Sequence, residues 1–158
     1  RKVGDQYYAM VSPVMIDAKN PLYSVNGVFN AIFIHGNVLG DAMFYGSGAG
    51  KLPTASAVVA DVVDCAKNKG RNIMMSWSEE KLNLLQIDDV KSRFFVRVSG
   101  HAAERQSEIE ELFGKVEIVA VPSLSEEFAF ITGEITEQEY REKAEKLDGI
   151  QSRIRARI

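Results

Sequence analysis

Glycines at positions 46, 48 and 50 crowd into the stretch "GSGAGKLPT", with Lys51 directly behind them and Pro53 two residues further on. Bare backbone beside a cation at the mouth of a helix is the material of an anion site. Glycine lets the main chain approach a ligand closely, and the free N–H groups and dipole of a helix N-terminus favour negative charge. Two specific phosphate patterns fail here. A P-loop needs G-x-x-x-x-G-K-[ST], but Gly46 to Gly50 is one residue short and Leu52 stands where a magnesium-binding hydroxyl belongs. A dinucleotide fingerprint needs G-x-G-x-x-G, whereas the spacing here is G-x-G-x-G. Two readings stay open on equal terms: a less specific ligand loop, and a tight strand-to-helix turn packed against another domain.

Other chemistry is sparse. His35, His101 and the single Cys65 have no metal-ligand spacing, so no metal is expected, and the two histidines read as ordinary loop or strand-end residues. Asp61 and Asp64 lie past the first turn of the expected helix and read as solvated helix residues rather than catalytic acids. One cysteine excludes an intramolecular disulfide framework and fits a reducing, cytoplasmic setting. A net charge of −3 argues against general nucleic-acid binding. With 46% apolar and 26% charged residues the profile is globular, and no apolar run is long enough for a membrane span. Arg1 opens the chain without a methionine, which leads us to expect a fragment or a processed product.

The elements that must position the loop come next. Tyr7–Ile16 reads as a strand with a bulge or edge at Pro13. Val28 to Ile34 and Val38 to Tyr45 form a hairpin across His35-Gly36-Asn37. Pro53 opens a helix that runs to about Asn68, with Gly70 as the stop. On that helix Val58, Val62 and Cys65 share one stripe, with Val59, Val63 and Ala66 beside it. Residues 71–91 read as a connector with one short helical turn, whose Met74, Met75 and Trp77 pack onto a neighbouring domain.

From residue 92 the grammar changes. Arg93–Val98 is a strand, Ile109, Leu112 and Phe113 recur at helical spacing before Gly114, and Lys115–Val121 and Glu127–Ile135 are strands. Thr136-x-x-Glu139 is a capping box that opens a helix, with Tyr140, Ala144 and Leu147 on one face and Gly149 as its end. In "IQSRIRARI" strict alternation puts Ile150, Ser152, Ile154, Ala156 and Ile158 on one side and Gln151, Arg153, Arg155 and Arg157 on the other. The arginine row reads as an edge strand guarded by charge. The order βαββαβ, closed by right-handed crossovers, predicts a ferredoxin-like antiparallel sheet with both helices on one face. An RNA-recognition module is set aside: its K/R-G-F/Y-G/A-F-V-x-F/Y motif is absent, and the consecutive Phe94 and Phe95 face opposite sides of the sheet.

The stretch from Asn20 to Asp64, "NPLYSVNGVFNAIFIHGNVLGDAMFYGSGAGKLPTASAVVADVVD", closely resembles the distal part of the catalytic region of homoserine dehydrogenase. The words Gly48-Ala49-Gly50 and Pro53-Thr54-Ala55-Ser56 carry the match almost without gaps. Ile87–Val98 is similar to that family's entry into a C-terminal ACT domain. The fold implied is α+β: residues 1–70 as a strand-rich remnant of the catalytic domain, 71–91 as connector, and 92–158 as a ferredoxin-like ACT domain. The function implied is NAD- or NADP-dependent interconversion of L-aspartate 4-semialdehyde and L-homoserine, on the route to threonine and methionine.

The resemblance places the second glycine of GAG, Gly50, in the cofactor site, with Ala49 and Thr54 as neighbours; Lys51 is read as solvent-exposed. Asn20 stands where the family usually has histidine. The family's G-x-D-x-x-x-K segment, with its catalytic lysine, does not occur here, and neither does the N-terminal glycine fingerprint. The chain alone is therefore expected to be inactive and to hold no catalytic residue. The resemblance further implies a homo-oligomer, at least a dimer, and L-threonine as effector. The usual Pro-Gly of the effector loop is absent from Ser99–Leu112, where Gly100 and His101 are the nearby candidates. The alternative is a non-catalytic amino-acid-sensing or dimerisation module.

Overall fold

Among the described residues the buried hydrophobic cluster forms after residue 90, between Phe94 and Leu147. The computed structural model describes residues 1–71 and 75–158, which fall into two compact units: Arg1–Asp17 with Lys81–Ile158, and Ala18–Glu80.

In the first unit, β1 (Lys2–Val3) and β2 (Gln6–Tyr7) form a small antiparallel ladder, and Tyr7 also bridges to Leu84. The main sheet is built from β3 (Val14–Ile16), β6 (Lys91–Ser99), β7 (Glu117–Val119), β8 (Glu127–Ile131) and β10 (Ile150–Arg157). Its order is β3-β10-β6-β8-β7, with β9 (Ile135–Thr136) pairing off the path against the start of β6. All these pairings are antiparallel except β3 with β10, so the sheet is mixed.

Helices α2 (Ala102–Phe113) and α3 (Glu137–Ala144) cover one face of this sheet. Phe94, Val96, Val98, Phe128 and Phe130 from the strands meet Ile109, Phe113, Tyr140 and Leu147 in a single buried cluster. The Phe94 and Tyr140 rings lie 4.5 Å apart and those of Phe113 and Phe130 5.1 Å, tilted in the geometry aromatic pairs prefer. Burial pushes the Tyr140 phenol up, against the opposing pull of the Arg153 guanidinium. The capping box is present with both bonds: Glu139 N–H donates to Thr136 Oγ1 at 3.1 Å, and Thr136 N–H donates to Glu139 Oε2 at 2.7 Å.

Two expectations need correction. The single strand over Glu127–Ile135 is two, because the buried Thr132 breaks it. Its backbone N–H still donates to Phe94 O at 3.0 Å, but its hydroxyl takes the Phe94 N–H at 2.9 Å in place of the main-chain carbonyl and donates to Gly133 O at 2.8 Å. The last strand is neither an edge nor in strict alternation. β10 is paired on both sides, and its register against β6 slips between Ile150 and Ser152. A one-residue bulge moves every following side chain to the opposite face. Arg153 therefore pairs with Val96 and Arg155 with Phe94, on the helix-covered side, while Ile154 pairs with Phe95 on the other.

The second unit contains a 3-10 turn at Pro21–Ser24, the hairpin β4 (Phe29–Gly36) and β5 (Gly40–Ser47), and the helix α1 (Lys51–Lys67). The strands pair from Phe29↔Ser47 to Gly36↔Gly40, so the connecting residues are Asn37, Val38 and Leu39, two positions beyond the expected turn. None of its described residues is buried. In the stretch expected to connect the halves, a 3-10 turn occupies Ile87–Asp89, and Met75 and Trp77 are exposed. Met74 lies outside the described residues.

Candidate functional site

The GAG loop is three residues long. Ser47 ends β5 and Lys51 begins α1, so Gly48, Ala49 and Gly50 alone turn a strand into a helix. Each glycine has its own reason to be there. Gly50, the residue before the first helical turn, has φ +118°, a conformation that side chains resist. At Gly48 an added Cβ would come within 2.5 Å of Asn30 Nδ2 and 3.0 Å of Asn30 Cγ, so the Asn30 amide on β4 occupies the space a side chain would take.

No side chain caps α1. Its first backbone bond runs from Thr54 N–H to Gly50 O at 3.1 Å, and Pro53 contributes no N–H. The mouth of the helix thus presents the N–H groups of Lys51 and Leu52 and the positive end of a 17-residue helix without a carboxylate in its first turn. Gly50, Ala49 and Thr54, the residues singled out from sequence, are together at this mouth and exposed, and Lys51 is exposed beside them. The arrangement can receive an anionic or electron-rich group on backbone donors, but it brings no acid, base or nucleophile to that group.

Two residues gain roles that sequence reasoning missed. Asn30 fixes the close approach to Gly48; it stands within the quoted "NAI" word of the resemblance, which was the available signal. Asn20 caps the Pro21–Ser24 turn, its Oδ1 accepting the Leu22 N–H at 3.0 Å. That is a structural task an asparagine performs well and a histidine does not.

In the first unit, Gly100 has φ +101° and donates its N–H to Glu126 O at 2.8 Å, and His101 precedes α2 without capping it. Together with Pro122, Ser125 and Phe128 they line an open cavity of about 340 Å³. Among the described residues no cluster of His, Cys, Asp or Glu is placed to hold a metal ion, and no helix is long and apolar enough to cross a membrane.

The mixed-sheet α+β fold resembles that of solved structures. The chain resembles homoserine dehydrogenase, whose family model matches residues 1–63. The Lactococcus lactis homoserine dehydrogenase is 42% identical over 94 residues, covering 58% of this chain and 22% of that protein. The Corynebacterium glutamicum enzyme is 54% identical over 61 residues, covering 39% and 14%. Among solved structures, homoserine dehydrogenase from Thiobacillus denitrificans aligns with a TM-score of 0.70 at 24% identity, over 92% of this chain and 38% of that one. A Staphylococcus aureus homoserine dehydrogenase structure at pH 6.5 aligns with a TM-score of 0.64 at 26% identity, over 92% and 36%. The chain thus spans well under half the length of the proteins it matches.

Proposed function

We propose that this chain is the distal portion of an NAD(P)-dependent homoserine dehydrogenase that interconverts L-aspartate 4-semialdehyde and L-homoserine. The observation that carries the reading is the GAG turn, with Gly50 at φ +118° and Gly48 closed against Asn30 at an uncapped helix mouth. The bound nicotinamide nucleotide supplies the hydride. The chain's own part is to present Gly50, with Ala49 and Thr54 beside it, as backbone lining for that cofactor. The proton donor for the developing alkoxide belongs to a part of the enzyme outside these residues. The open valine stripe of α1 supports the same reading, since an apolar face of that kind calls for a further domain.

Gly50→Val in the full-length enzyme is expected to raise the apparent KM for the nicotinamide cofactor with a smaller effect on kcat. An unchanged KM would reduce Gly50 to a turn residue. The 158-residue chain alone is expected to give no turnover.

The sheet order β10-β6-β8-β7 with two helices on one face matches the ferredoxin-like pattern, and this supports reading residues 92–158 as an ACT domain. Such a domain would serve dimerisation, with β7 offering an unpaired edge, or feedback by L-threonine near Gly100 and His101. That this unit carries its own core favours a second reading, a self-standing sensing or dimerisation module. Calorimetry with L-threonine separates the two roles: saturable binding supports sensing, and silence with concentration-dependent dimerisation supports assembly.

A further inference from the structure

Glu137 is 2% exposed at the start of α3, and both of its carboxylate oxygens are held by arginines of β10. Arg153 Nη1 donates to Oε2 at 2.8 Å, and Arg155 Nη2 pairs with Oε1. Two guanidiniums share one buried carboxylate, so the cluster carries one surplus positive charge, with Arg153 open to solvent and Arg155 half-buried. Both cations are held in place. Arg153 stacks 5.2 Å from the Phe94 ring centroid and 4.6 Å from that of Tyr140. Arg155 Nη1 donates to Ser12 Oγ at 2.9 Å, and Ser12 in turn donates to Pro13 O.

Two buried atoms are left without a hydrogen bond among the described residues: Arg155 Nε, a donor, and Glu137 Oε1, an acceptor that meets Arg155 Nη2 only as an ion pair. Arg155 and Arg153, with Ser12, Pro13, Phe94 and Ile154, line a half-open cavity of about 210 Å³. At ~30 Å³ per water, that is room for an oxyanion head and a few attached atoms.

We infer that this cavity between the β3 end of the sheet and β10 is a binding site for one small oxyanion, a carboxylate or a phosphate, received by Arg155 Nε and the free edge of Arg153. The planar guanidinium fork suits either group, and Ser12 and Glu137 act as positioning residues that aim it. The site shares no residue with the GAG turn or with the cavity at Gly100, and it does not rest on the proposed dehydrogenase reading.

The test is titration of the 158-residue chain with sodium phosphate and, separately, sodium acetate, at ionic strength held constant with sodium chloride. The arginine Nε–H resonances are followed by NMR. A saturable shift of Arg155 Nε–H with either oxyanion, absent with chloride, is expected. A response to acetate alone assigns a carboxylate ligand, and a response to phosphate alone assigns a phosphate ester. Arg155→Lys, which keeps the charge and removes the fork, is expected to weaken binding at least about tenfold. Ser12→Ala, which leaves the Glu137 pairs intact, is expected to weaken it less, and Arg157→Gln to leave it unchanged. No saturable shift with either oxyanion, or equal affinity in Arg155→Lys and Ser12→Ala chains, overturns the assignment.

Discussion

The unit formed by Arg1–Asp17 and Lys81–Ile158 and the unit Ala18–Glu80 are made from similar residues but solve burial differently. In the first, nine apolar and aromatic side chains close into one cluster beneath two helices. In the second, Val58, Val59 and Val62 of α1 remain 57–62% exposed, and Ile32 and Phe44 of the hairpin 65%. Both α1 and α2 carry an apolar stripe at helical period, so the pattern alone does not decide burial. The difference is what each stripe faces within the chain: α2 lies on a sheet of five paired strands, whereas the second unit offers a two-stranded hairpin. An isolated hairpin is marginal by itself. The first unit closes a core of its own, and the second leaves its apolar faces uncovered among the described residues.

The largest effect should therefore appear in the first unit. Phe130→Ala removes a fully buried ring and should cost about 3–5 kcal/mol, read as a lower urea midpoint followed by circular dichroism. On the same chain Val62→Ala should move the midpoint by no more than ~0.5 kcal/mol, since it removes atoms already in water. If Val62→Ala costs as much as Phe130→Ala, the α1 stripe is packed in solution and the contrast between the units is lost.

A smaller effect tests whether the second unit has local order despite lacking a core. Gly48→Ala forces a Cβ against the Asn30 amide and should loosen the turn by about 1–3 kcal/mol, seen as faster amide exchange in β5 and the first turn of α1. Asn30→Ala removes the obstruction, so the double variant should recover much of the loss. Additive losses would show that Asn30 and Gly48 do not touch. The global midpoint set by the first unit should hardly change.

The contrast also marks what could be read in advance. The capping box, the Gly114 stop and the core positions Ile109, Phe113 and Tyr140 were legible because they depend on residues three or four apart. But α3 ends at Ala144, short of the expected stop at Gly149. The GAG turn was legible as a helix mouth, and Gly50, Ala49 and Thr54 do meet there. The fate of β10 was not. Strict alternation pointed Ile154 and Ala156 inward, but the slip at Gln151 turned Arg153 and Arg155 toward the helices, where Glu137 meets both. A bulge is set by pairing with a distant strand, and so is the parallel partnership of β3 with β10, which joins residues more than 130 positions apart. The broken strand at Thr132 has the same origin, a side chain answering a backbone N–H 38 residues away.

The smallest effect expected in the first unit is at the start of α3, where the capping box joins Thr136 and Glu139. The Thr136 backbone N–H, and then its hydroxyl, hold the Glu139 carboxyl below its ordinary value of 4.5. A carboxyl depressed in the folded state contributes stability that is fully present above its unfolded value. That contribution is lost as the pH falls through the lower folded value. Between about pH 5 and pH 3 the urea midpoint should therefore fall, and Glu139→Gln should flatten that part of the profile while leaving the neutral-pH fold intact. Thr136→Ala removes the reciprocal partner and should cost about 1 kcal/mol at pH 7, well below a core truncation. Were Glu139→Gln to leave the acid limb unchanged, the capping box would be a matter of geometry alone.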